Sequence, residues 1–128
     1  DMSVILITHN LGIVSGYADD VAVMYAGKIV EKCSTTELIS NPIMPYTEAL
    51  MNSAPSLADA PHTRLKAIPG LPPNLLDLPQ GCSFSSRCSY KDQKCDDTVP
   101  DLTLVKITKH SFACWYPLNQ SVTDGAIK

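Results

Sequence analysis

Four consecutive apolar residues, Val4, Ile5, Leu6 and Ile7, run into the polar triplet Thr8, His9 and Asn10. A run without polar alternation reads as a strand covered on both faces, the kind found in parallel sheets, and such strands carry functional groups just past their C-terminal ends. His9 stands at that position. The period then changes: Leu11, Ile13, Val14 and Tyr17 fit one face of a short helix with Asn10 as N-cap, closed by Asp19 and Asp20. Residues 21–26 are mostly apolar and residues 28–32 alternate, with Ala26 and Gly27 between them, which predicts a β-hairpin whose Gly27 has positive φ. Ser34 and Glu37 form a capping-box pattern for a helix through Ile39, stopped by Asn41 and Pro42. Pro45 suits the first turn of a further helix over about 46–53, with Leu50 and Met51 inward.

Beyond that helix the pattern dissolves. Eight of the ten prolines fall between Pro42 and Pro79, and residues 55–79 show no convincing period apart from 64–68. This reads as a semi-rigid, largely extended connector. Residues 104–107 and 111–116 then read as two short strands joined by Thr108, Lys109 and His110, and residues after Asn119 as a frayed tail.

At 128 residues the chain suffices for one modest domain or two small pieces. A net charge of −3 supplies no basic field for phosphate backbones, so nucleic acid is not an expected partner. No apolar stretch approaches the ~18 residues of a membrane span, and the start lacks the pattern of a signal peptide. A soluble, cytosolic polypeptide is the expectation.

Cys82, Cys88, Cys95 and Cys114 lie in the second half of the chain, with five, six and eighteen residues between successive members, while Cys33 stands apart. Between Gly81 and Asp101 the sizeable apolar side chains besides cysteine are Phe84, Tyr90 and Val99, too few to order such a stretch unaided. A covalent or metal staple is therefore expected. Zinc favours ligand pairs two to four residues apart, and these spacings are wider. A four-iron, four-sulfur cluster tolerates thiolates from a longer loop, with Arg87, Lys91 and Lys94 available to offset its charge. Cluster, zinc, and disulfide or free thiols all stay open. His110 is a secondary ligand candidate, His62 reads as solvent-exposed, Trp115 as a core aromatic, and Cys33 as a small buried thiol rather than a ligand.

The stretch VILITHNLGIVSGYADDVAVMYAGKIVE resembles the end of the nucleotide-binding domain of ABC transporter ATPases, in the branch that imports dipeptides and oligopeptides. NPIMPYTEALMNSAP, IPGLPPNLL and GCSFSSRCSYKDQKC resemble the C-terminal extension of that branch. The resemblance implies an α/β fragment, the end of an ABC ATPase domain over residues 1–53, followed by a small irregular α+β cysteine-containing module over 54–118 and a flexible tail over 119–128. It implies that His9 is the switch histidine that contacts the γ-phosphate of ATP. The residue after that histidine is usually Asp in the branch; Asn10 loses the charge and keeps a cap acceptor. Members of the branch carry a cysteine quartet in this extension and some hold such a cluster, so the resemblance adds weight to Cys82, Cys88, Cys95 and Cys114 as ligands of a 4Fe-4S cluster, with zinc, or disulfide or free thiols, as the alternatives. The parent protein would use ATP and Mg2+, pair with a second ABC ATPase subunit, drive membrane-spanning permease subunits at the cytoplasmic face of the membrane, and work indirectly with a peptide-binding protein.

The sequence has no Gly-x-x-x-x-Gly-Lys-Ser/Thr loop, whose N–H groups, Lys and hydroxyl would hold nucleotide phosphates and magnesium. The ABC signature is absent as well. The expectation is a piece that neither binds nor hydrolyses ATP by itself. The alternative from another class is a free-standing zinc or iron–sulfur module for electron transfer or partner recognition.

Overall fold

The computed structural model describes residues 2–54, 67–105, 108–119 and 126–127. Helix α1, Leu11–Tyr17, starts where Asn10 Oδ1 accepts the Gly12 N–H at 2.9 Å. Strands β1, Asp20–Tyr25, and β2, Lys28–Ser34, form the expected hairpin. Its turn places Ala26 at φ 48° and Gly27 at φ 77°, the left-handed pair that matches the natural twist of a two-residue hairpin loop. Ser34 ends β2 and caps α2, Thr35–Ser40, by accepting the Glu37 N–H. Helix α3, Pro45–Ser53, has proline in its first turn, where the missing N–H costs nothing. A 3-10 turn, Ser85–Arg87, and the short helix α4, Gln93–Asp97, follow. Strands β3, Thr103–Val105, β4, His110–Phe112, and β5, Ala126–Ile127, complete the order.

The five strands form one open sheet in the order β1-β2-β4-β3-β5, every pairing antiparallel. The result is a small mixed α/β structure. β2 pairs with β4 through Glu31 opposite Phe112 and Lys32 opposite Ser111, so residues far apart in sequence share one sheet. Side chains alternate as the pleat requires. Val23, Tyr25, Glu31, Cys33, Val105, His110 and Phe112 face inward, while Met24, Lys32 and Leu104 face out. Val23, Cys33 and Leu38 make one apolar cluster with Leu11 and Leu50 against it, and Ile43, Val105 and Phe112 make a second that reaches Cys114.

Several expectations are corrected. Residues 4–7 carry no strand, and Ile5 and Ile7 are 92% and 93% exposed. A strand covered on both faces needs paired neighbours and layers above and below, and none of the described residues supplies them. In α1, Leu11 and Val14 are half-buried but Ile13 and Tyr17 are exposed, because only one edge of this short helix meets the core. His110 lies in β4 rather than in a turn, with the positive φ at Lys109 instead. From the stretch expected to fray, residues 126 and 127 pair with Val105 and Leu104. His62 and residues 55–66 of the connector lie outside the described residues. Among the described residues no helix is long and apolar enough to cross a membrane.

Candidate functional site

Two places carry chemistry. The first is the turn before α1. His9 is exposed there, flanked by Thr8, whose Oγ1 accepts the Asn10 N–H at 3.1 Å, and by Asn10, the cap of α1. An imidazole in this setting is open to an approaching group.

The second is a small cavity of about 10 Å³. Cys82, Cys88, Cys95 and Cys114, named from sequence as one set, all line it, with Phe84 and Trp115 among their neighbours. Local structure explains the convergence. Gly81 lets two stretches touch: a Cβ at this position would run into the carbonyl oxygens of Cys95 and Asp96. That approach allows the Cys82 N–H to donate to the Cys95 carbonyl at 2.7 Å. The 3-10 turn then carries the chain from Cys82 to Cys88, and the exit of β4 delivers Cys114. Gly81 was not singled out by sequence reasoning, and its position directly before a cysteine is the signal that could have marked it. Gly81→Ala is expected to cost about 1–3 kcal/mol, as for overpacking a tight site, because backbone rather than a flexible side chain must yield. Urea unfolding would show it as a lower midpoint at unchanged slope.

Burial is the first cause that pushes the Cys82, Cys88 and Cys114 thiols up, Cys114 to about 12. Backbone N–H groups of Phe84, Ser85, Tyr90 and Tyr116 oppose the rise, and the neighbouring thiols add to it. These three are therefore protonated thiols at neutral pH and weak nucleophiles, which disfavours a catalytic cysteine. The basic side chains expected to offset a cluster's charge each have another partner here. Arg87 donates from Nε to the Pro69 carbonyl and from an Nη to the Ile68 carbonyl, Lys91 pairs with Asp96 at 3.1 Å, and Lys94 sits 3.6 Å over the Trp115 ring. Each cation thus has a partner of its own, and that of Lys94 is Trp115, itself a wall of the cavity.

Four thiols suit a soft metal or cluster in donor chemistry. Their arrangement does not: among the described residues no group of three or more His, Cys, Asp or Glu is placed to hold a metal ion. The expectation of iron–sulfur or zinc is thus without geometric support. His110 is no ligand either; it is fully buried, with Nε2 2.7 Å from Glu31 Oε1. Cys33 is buried as expected, its thiol pushed up to about 12 by burial first and then by Glu31, Glu37 and Asp20. Trp115 donates from Nε1 to the Thr98 carbonyl and is half-buried.

Comparison with known proteins places this geometry. The family described as oligopeptide/dipeptide transporter, C-terminal region, matches residues 30–95. The dipeptide transport ATP-binding protein DppD of Bacillus subtilis is 44% identical over 115 residues, covering 90% of this chain and 34% of that protein. The probable D,D-dipeptide transport ATP-binding protein DdpD of Escherichia coli is 40% identical over 121 residues, covering 94% and 36%. A probable peptide ABC transporter ATP-binding protein of Sinorhizobium fredii is 43% identical over 113 residues, covering 88% and 33%. The chain spans about a third of the length of the curated relatives it matches. The match runs from within β2 through α2, α3 and three of the four cavity cysteines, so the chain belongs to the oligopeptide/dipeptide transporter C-terminal-region family.

Proposed function

We propose that this chain is the C-terminal part of the ATP-hydrolysing subunit of an ABC importer for dipeptides or oligopeptides. The observation that carries the reading is the extent of the match: some nine-tenths of the chain aligns with proteins named for peptide transport and ATP binding. The exposed apolar faces of residues 4–7 support it, since in the whole subunit they would enter a sheet supplied by the rest of the domain. His9 would then stand at the sheet's end and contact the γ-phosphate of ATP held with Mg2+ by other residues. Two such subunits would act together on permease subunits at the cytoplasmic face of the membrane, with a peptide-binding protein delivering cargo.

By itself the 128-residue chain is expected to show no saturable binding of a fluorescent ATP analogue at micromolar concentration, because no phosphate loop is present. In the full-length subunit, His9→Ala is expected to abolish most ATP hydrolysis while nucleotide binding persists. Hydrolysis unchanged by that substitution removes the reading.

The proposal extends to Cys82, Cys88, Cys95 and Cys114 as the ligand set of a metal group in the full subunit, on the soft donor chemistry of four thiols that border one cavity rather than on a ligating geometry. Anaerobic purification with metal and sulfide analysis is expected to give about four iron and four labile sulfide per chain, or about one zinc in the alternative. Neither metal in a fully folded anaerobic sample refutes the assignment.

A further inference from the structure

The turn around His9 is built from side chains rather than left to the backbone. Thr8 Oγ1 accepts the Asn10 N–H at 3.1 Å, a bond that spans His9. Asn10 Oδ1 accepts the Gly12 N–H at 2.9 Å, and the Asn10 carbonyl accepts from Ile13 and Val14 at 3.2 and 3.3 Å. Gly12 takes part by what it lacks. A Cβ there would lie 3.1 Å from Asn10 Oδ1, tighter than side chains normally tolerate. A residue that disfavours helices thus occupies the first turn of α1 where its open space admits the cap. Both neighbours of His9 are tied down while its own side chain stays exposed.

We infer that Thr8 and Asn10 are positioning residues for His9, holding the backbone turn that aims the imidazole at the reacting phosphate. The inference rests on the reading of His9 given above. Neither residue need touch nucleotide. Thr8 acts through a hydroxyl acceptor that valine lacks at nearly equal shape, and serine restores.

The test uses the full-length subunit assembled with its permease, with steady-state ATP hydrolysis as readout. Thr8→Val is expected to lower kcat about tenfold or more at a KM for ATP unchanged within about twofold, since displacing a reacting group by about 1 Å can cost ~100-fold. Thr8→Ser should stay within about twofold of the parent in kcat, and Asn10→Ala should follow Thr8→Val. Thr8→Val combined with His9→Ala should be no slower than His9→Ala alone, because residues that act as one unit are non-additive. Should Thr8→Val keep the parent kcat while His9→Ala loses it, the positioning role is overturned and the His9 reading survives. A Thr8→Val loss that appears in KM, or that serine fails to rescue, overturns it equally. If His9→Ala itself leaves hydrolysis intact, the underlying reading fails instead.

Discussion

Replacing Glu31 with alanine is expected to lower the unfolding free energy by about 3–5 kcal/mol, because two N–H groups and a buried imidazole lose their partner and each stranded group costs about 1–3 kcal/mol. Glu31 is fully buried, and a single oxygen, Oε1, accepts the Ile43 N–H at 2.7 Å and the Met44 N–H at 3.2 Å and lies 2.7 Å from His110 Nε2. Those partners come from the loop before α3 and from β4, so one carboxyl group ties the hairpin to both. Alanine strands both N–H donors and the buried imidazole without a partner, and desolvated polar groups without partners carry most of the cost. Glutamine keeps an acceptor oxygen at the same reach and should lose only about 1–2 kcal/mol. Glu31 Oε2 and His110 Nδ1 have no partner among the described atoms, so the pair is not saturated and its worth lies in Oε1. The double variant Glu31→Ala with His110→Ala should cost less than the two singles added, because they share the interaction. Urea unfolding of all four proteins measures this. A loss below about 1 kcal/mol for Glu31→Ala would mean that the clamp is not what joins these elements.

The same residues show what a sequence can and cannot reveal. The hairpin, the cap at Ser34 and the start of α3 at Pro45 were legible because each is a local event: a two-residue turn needing positive φ, a hydroxyl three residues before Glu37, a ring that suits a first helical turn. Glu31 was not singled out, although the alternation of β2 places it on the face of Cys33 and so indoors. Charge argues for solvent, and only a set of partners assembled from residues 43, 44 and 110 reverses the argument. His110 was misplaced by a one-residue error in the turn, and in a strand one residue exchanges inside for outside. For residues 4–7 the composition predicts a strand covered on both faces, whereas they form no strand and stay exposed, because composition alone does not provide a neighbour. Cysteine spacing named the quartet but not its common cavity, since that depends on Gly81 bringing Cys82 against Cys95 and on β4 returning beside β2.

Phe84→Ala should be the second large loss, about 3–5 kcal/mol, as for deleting a buried aromatic ring. Phe84 is 2% exposed and packs its ring 5.3 Å from that of Tyr25, edge to face, and 5.1 Å from that of Tyr46, which are themselves 4.6 Å apart. The three rings come from β1, α3 and the loop between Cys82 and Cys88, so Phe84 is the apolar pin of the cysteine loop. Its polar companions are weaker: Arg87 reaches the Tyr25 hydroxyl at 3.4 Å, and the Tyr90 hydroxyl donates to Glu48 at 2.9 Å from an exposed position. Without the ring the loop is left to these two bonds, to the Cys82 N–H bond to Cys95 and to the Arg87 bonds to Pro69 and Ile68, and exposed polar contacts contribute about 1 kcal/mol or less. The loss should therefore be local before it is global. Trp115, the single tryptophan, borders the same cavity and reports on it: its emission should shift to the red and respond to quencher in Phe84→Ala under conditions where the parent does not. Hydrogen exchange should accelerate at residues 82–88 while the amides that pair β1 with β2 stay protected. Phe84→Leu, which refills part of the volume, should recover much of the loss. If Trp115 emission and exchange at residues 82–88 match the parent in Phe84→Ala, the loop is held by something other than this ring, and the cysteine cavity does not depend on the hairpin.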